Sequence, residues 1–370
     1  MALPEFMRMR LIAAILLCLL AAAGVAKAAD ATLNVYNWTD YIDPYAITRF
    51  ERETGIHVNY DVYDSLETLE AKLLAGHSGY DVVVPTSEPT LSRLIAAGAL
   101  QPLDRAQLPN LENLDQALMR RVASSDPGNR YAAIYLWGTI GLGLNPARIH
   151  ALAPDAPLES WDLMFKPELA KRIAPCGISM LDSAIDVIPT VLHILGRSPD
   201  STDPADLAAV AKALHAIRPY IRNFASSGEL EALAAGDTCL AFAYSGDVVQ
   251  AQARAREAGK GVTLQYVAPA QGAQLWFDTL AIPKNAPHPQ AALAFINFLE
   301  QPDVMAGITN QVRYANAIPA SRPMIQPDVA GDPNIYPPPQ AMAHFFTIGP
   351  VSAEATRARN RMWARFKSGD

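Results

Sequence analysis

Cysteine is scarce in this chain: there are three in 370 residues, and Cys18 falls in an apolar N-terminal run. The seven histidines are scattered without the spacing of metal ligands, so no metal centre is expected. No G-x-S-x-G nucleophile elbow is present. The glycine-rich run Gly138-Thr139-Ile140-Gly141-Leu142-Gly143 fits neither a Walker nor a dinucleotide fingerprint, and its expected use is a turn or hinge. No cofactor is therefore called for. Internal repeats, heptads and low-complexity tracts are also missing. Basic residues number 30 against 37 acidic ones, a balance that disfavours nucleic acid as a partner and draws cations. Catalytic groups need not be neighbours in sequence, but no motif argues for an enzyme.

What is present begins at the N-terminus. Arg8 and Arg10 precede an apolar or small run from Leu11 to Ala26, followed by Ala26-Lys27-Ala28. This is the pattern of a secretory signal peptide, with cleavage expected after Ala28. As a membrane anchor the run is shorter than the roughly 20 residues a spanning helix needs. As a lipoprotein signal it fails because Leu17 stands before Cys18 where a small residue belongs. Removing residues 1–28 takes away three of the 30 basic and one of the 37 acidic side chains, leaving 342 residues and a net charge of −9. That length suggests two domains, and half the residues are apolar. Cys176 and Cys239 remain. An even pair in an exported protein reads as one disulfide or as two separate buried thiols.

The first hundred mature residues alternate strand and helix. Leu33 and Val35 mark a strand before Asn37-Trp38-Thr39-Asp40-Tyr41, and a helix is predicted from Asp43-Pro44 to Gly55. Val58, Tyr60 and Val62 alternate as a second strand. Asp64 and Glu67 resemble a capping box before Leu66, Leu69 and Leu73. Asp81 to Val84 is a short buried strand, and Leu91, Leu94 and Ile95 lie on the next helix. This order predicts a parallel sheet with helices on both faces. A second αβ region runs from about Thr139 to Trp276. In it Asp182-Ser183 follow a strand near Ile178–Met180, and Ser245-Gly246-Asp247 follow a strand from Cys239 to Tyr244. Leu275 to Pro283 reads as a strand returning to the first region, and helices are predicted around Pro287–Leu299 and Val351–Phe366.

Ligands of such sheets bind beyond the carboxyl ends of the strands. The segments there carry Trp38, Asp40, Tyr41, Asp186, Tyr244, Asp247, Trp276, Asp278 and Tyr314, an acidic and aromatic set without Arg or Lys. Carboxylates that converge without internal cations need a cation from outside, and aromatic faces attract cations by about 0.5–2 kcal/mol each. Aromatic walls are poor ligands for a metal ion. An alkyl chain with an ammonium at each end suits the set. Taken singly, an Asp after a strand is more often a helix cap, a reading open to Asp247, and a lone Trp is more often core.

These stretches resemble the periplasmic putrescine/spermidine-binding proteins of bacterial ABC importers. The resemblance covers nearly the whole mature chain. It rests on Tyr36 to Ile42, Asp81 to Thr86, Ser245 to Val248, Phe277-Asp278, Tyr314 to Ala317 and Asn334 to Pro338. It implies an α/β, two-lobed periplasmic binding protein fold (type II), each lobe a mixed sheet flanked by helices, with ligand in the interlobe cleft. The division expected is a signal peptide at 1–28, one lobe from 29–138 plus about 277–316, and the other from 139–276 plus about 317–370. It also implies that Trp38, Tyr244, Trp276 and Tyr314 line the aliphatic chain and that Asp40, Asp186, Asp247 and Asp278 hold the ammonium groups. Thr39, Thr86 and Ser226 or Ser227 match positions offering hydroxyl or backbone contacts. Cys176 and Cys239 match a family disulfide.

The chain departs from the family's putrescine binders at three of these positions. Asp186 stands for Glu, Tyr244 for Trp and Trp276 for Phe. Glu88-Pro89 replaces a small residue and an aromatic at the cleft rim, where Glu88 is either a seat for a third charge or a solvated surface residue. The implied function is delivery of a polyamine to an inner-membrane permease by a periplasmic monomer. A polyamine sensor or scavenger of the same fold is the alternative, and an enzyme on two αβ domains is a weaker third reading.

Overall fold

The structure is a computed structural model that describes residues 32–225 and 229–369. The expected signal peptide and both Ser226 and Ser227 lie outside the described residues. β1 (Thr32–Trp38) buries Leu33 and Val35. α1 (Pro44–Thr54) starts as its sequence dictates. The Asp43 carboxylate accepts the Tyr45 N–H, Pro44 occupies a position that needs no donor, and Gly55 closes the helix at φ 71°, a left-handed conformation.

β2 (His57–Tyr63) lies parallel to β1. The expected alternation holds at Val58 but ends early: Val62 is 49% exposed while Tyr63 is buried, its ring packed 4.6 Å from Trp38 and 4.8 Å from Tyr36. α2 (Leu66–Leu74) buries Leu69 and Leu73. Its cap is Ser65, whose side chain accepts the Thr68 N–H, one residue beyond the expected Asp64. β3 (Val82–Val83) completes the first parallel group beside β1.

β4 (Ala132–Leu144) is buried along its full length. It contains the glycine run expected to form a turn, and the reason is steric. A Cβ at Gly138 would come within 2.6 Å of the Trp276 ring, one at Gly141 within 2.3 Å of the Val267 carbonyl, and one at Gly143 within 2.8 Å of Val248. The glycines let neighbours press against the strand.

The chain continues through β5 (Ile178–Leu181), α3 (Ala184–Ile194), β6 (Asn223–Ala225), β7 (Leu240–Tyr244), α4 (Ser245–Ala258), β8 (Gln265–Val267) and β9 (Gln274–Ala281). Then follow α5 (Pro289–Leu299), α6 (Pro302–Val312), β10 (Ala315–Asn316) and α7 (Ala353–Ser368).

The sheet order is β2-β1-β3-β9-β4-β7-β5-β6, with β8 and β10 also on β4. β9 runs antiparallel to β4 from Ala132/Ala281 to Ile140/Gln274. β7 takes over from Ile140 to Leu144 and leads to the parallel pair β5 and β6. Two parallel groups are thus joined by the crossing strands β4 and β9, which gives the two-lobed fold. Cys176 and Cys239 stand just before the neighbouring strands β5 and β7, with Cα atoms 5.6 Å apart, and form a disulfide. No helix among the described residues is long and apolar enough to cross a membrane.

Candidate functional site

The crossing strands bring the predicted residues together. Residues two apart on a strand share a face, so β9 aligns Gln274, Trp276 and Asp278. Asp278 is buried, and the Thr86 hydroxyl donates to it at 2.5 Å. Thr86 follows β3 and bridges Asp278 along the backbone. Burial pushes the Asp278 carboxyl up to about 7, the Thr86 and Tyr41 hydroxyls oppose this, and the charge of Asp186 adds to it. The Tyr41 hydroxyl acts by nearness, since it closes no hydrogen bond of ordinary geometry.

Asp186 sits in the first turn of α3 and Asp247 in the first turn of α4, where helix dipoles favour carboxylates. Asp186 is buried and accepts from the Ser183 hydroxyl at 2.5 Å, the Tyr244 hydroxyl at 2.8 Å and the Gln274 amide at 3.1 Å. Half-buried Asp247 accepts from the Tyr314 hydroxyl at 2.7 Å and is not the N-cap of its helix. Burial raises the pKa of both. Every hydrogen bond that the described residues give these three carboxylates comes from a neutral donor.

The rings form a row. Tyr244 meets Trp276 at 5.9 Å, Trp276 meets Tyr314 at 5.1 Å, and Tyr314 meets Tyr41 at 5.6 Å, all edge to face. Gly138 clears space for Trp276. Gly246 clears space for Tyr314, whose ring would lie 2.4 Å from a Cβ there. The Trp276 and Trp38 indole N–H groups are buried without a partner among the described residues.

Tyr41, Thr86, Asp186, Tyr244, Asp247, Trp276, Asp278 and Tyr314 are therefore gathered at the crossing. Trp38 is half-buried and packs on Tyr63 instead. Thr39 and Asp40 are exposed, Asp40 at φ 54°, and neither bonds to the buried set. Glu88 is 4% exposed, which overturns its reading as a solvated surface residue. One of its oxygens accepts from Ser92 at 2.7 Å; the other lies near Ser125 but closes no hydrogen bond of ordinary geometry among the described residues. It lines a narrow pocket together with Thr86, Arg121, Asp186, Gln274 and Trp276. Sequence reasoning missed Gln274 and Ser183. The two-residue period of β9 is the signal that points to Gln274. Among the described residues, no group of three or more His, Cys, Asp or Glu is placed to hold a metal ion.

Buried carboxylates beside aromatic rings, set between two lobes on crossing strands, define a receptor for a small solute. The pattern of the bacterial extracellular solute-binding proteins matches residues 45–337, and the chain belongs to that family. It is a binding protein, not an enzyme. It is 48% identical over 349 residues to the putrescine-binding periplasmic protein SpuD of Pseudomonas aeruginosa, covering 94% of this chain and 95% of the relative. It is 34% identical over 313 residues to the spermidine/putrescine-binding periplasmic protein of Salmonella typhimurium, covering 84% and 85%. The spermidine/putrescine ABC transporter substrate-binding protein PotD of Streptococcus pneumoniae superposes with a TM-score of 0.77 at 28% identity, covering 92% of this chain and 99% of that one.

Proposed function

We propose that this protein captures a linear polyamine, putrescine or spermidine, in the cleft at the crossing strands and delivers it to the membrane permease of an ABC transporter. One observation carries the reading: Asp186, Asp247 and Asp278 line one aromatic row, and every hydrogen bond the described residues give them comes from a neutral donor. A diammonium ligand supplies the missing charge. Trp276, Tyr244 and Tyr314 cover its methylenes and add cation–π attraction. Trp38, Thr39 and Asp40, at the end of β1, are the ligand contacts proposed for the rim of the cleft, and Ser226 or Ser227 is proposed as a further contact. The similarity to putrescine- and spermidine/putrescine-binding periplasmic proteins supports the ligand class and a periplasmic location.

In this reading residues 1–28 are a cleaved signal peptide and the mature chain acts as a monomer. One lobe comprises 29–138 plus about 277–316, and the other 139–276 plus about 317–370. Spermidine binds at least as well as putrescine, because Trp276 is broad and the Glu88 oxygen that closes no ordinary hydrogen bond among the described residues suits a third ammonium. A thermal-shift panel tests the class. Diamines and spermidine should stabilise the protein, while sugars, neutral amino acids and phosphate esters should leave it unchanged.

A further inference from the structure

The C-terminal helix α7 grips the turn that leads into the helix carrying Asp186. Trp363 Nε1 donates to Asp182 Oδ1 at 2.8 Å, and Lys367 Nζ donates to Asp182 Oδ2 at 2.7 Å. Trp363 and Lys367 are four residues apart and so share one helix face. Both oxygens of Asp182 are therefore held from a single element. Asp182 immediately precedes Ser183, which stands at the N-cap position of α3 yet makes no capping bond. Its hydroxyl is turned to Asp186 Oδ2 instead.

The same helix braces the neighbouring strand. The ring of Phe224 on β6 meets Trp363 at 5.7 Å and Phe366 at 5.3 Å, both nearly perpendicular. Arg218 donates to the carbonyls of Phe366 and Lys367, which fixes the end of the helix, and its guanidinium lies 5.2 Å from the centre of the Phe224 ring.

We infer that Asp182, Trp363 and Lys367 are positioning residues for ligand binding: α7 holds Asp182, and through Ser183 it sets where the Asp186 carboxylate points. This inference rests on the reading that Asp186 holds one end of the ligand.

The test is a double-mutant cycle with putrescine. Lys367 is one-third exposed, so Lys367→Met leaves the core in place, and Trp363→Phe removes the donor while keeping a ring. Each should weaken putrescine about five- to tenfold when Asp186 is present and by less than about twofold in Asp186→Asn protein. Lys367→Arg should stay near wild type. Equal losses in both backgrounds, or no loss in either, would overturn the inference. Hydrogen exchange of the 183–187 amides in ligand-free protein judges it separately: Lys367→Met should speed exchange there, and unchanged exchange refutes the strut. Wild-type protein that bound no amine would overturn the reading of the site, leaving the strut to be decided by exchange.

Discussion

Replacing Asp278 with Asn isolates the central electrostatic idea. In the ligand-free protein this carboxyl is pushed up to about 7, because burial disfavours its charge more than the Thr86 and Tyr41 hydroxyls restore it. A bound ammonium supplies the missing partner and returns the group to its ionised form. Leaving that ammonium unmatched costs about 2–5 kcal/mol, which is roughly 30-fold to several thousand-fold in Kd. The same shift carries a sign. Below about pH 7 the free site holds a proton that the bound site lacks, so binding releases it. Affinity should fall by up to about tenfold per pH unit on acidification.

Ligand-free stability responds in the opposite direction. The folded pKa exceeds the ordinary value of 3.8, so the stabilisation from protonated Asp278 is complete below 3.8 and is lost as pH rises through about 7. The slope is about 1.4 kcal/mol per pH unit for one group. Calorimetry in buffers of differing ionisation enthalpy reads the proton release, and melting curves read the stability. A wild-type affinity flat across this range, or an Asp278→Asn loss below about threefold, would refute the reasoning.

Three further outcomes follow from the geometry. In competition titrations, wild-type protein should bind spermidine at least as tightly as putrescine, and Trp276→Phe and Glu88→Ser should each narrow the difference; a tenfold preference for putrescine contradicts the assignment of those residues. Gly246→Ala places a Cβ 2.4 Å from the Tyr314 ring, so the ring must leave Asp247 and calorimetry should show affinity down by about tenfold or more; unchanged affinity would mean that Tyr314 is not needed there. Reducing the Cys176–Cys239 bridge, which spans a sequence separation of 63, should destabilise the fold by about 2–4 kcal/mol; an unchanged melting curve, or two free thiols by non-reducing peptide mapping, contradicts it.

Local chemistry was legible where local groups decide the outcome. Asp43, Pro44 and Gly55 mark the ends of α1 because each acts on its own backbone. Ser65 rather than Asp64 caps α2, because its extended backbone brings its hydroxyl to the Thr68 N–H. The glycine run in β4 was unreadable as strand because its reason is distant in sequence: Trp276, Tyr266 and Val248 need the space. The site was legible as a composition at strand ends, and the crossing of β4 and β9 gathers most of it. Asp40 departs from that pattern, exposed in a left-handed conformation at the end of β1. Glu88 departs in the other direction, since the turn after β3 folds it inward against Ser92. Gln274 escaped notice because an amide draws attention only once the alignment of Trp276 and Asp278 is taken back by two residues.

The most direct test is calorimetry on protein that has been unfolded, stripped of bound solute and refolded, titrated with putrescine and then with spermidine. The account predicts saturable binding of one polyamine per chain, with proton release below about pH 7 as Asp278 ionises. Absence of heat and of thermal stabilisation with every di- and polyamine, in protein that has regained its native melting transition, would contradict it.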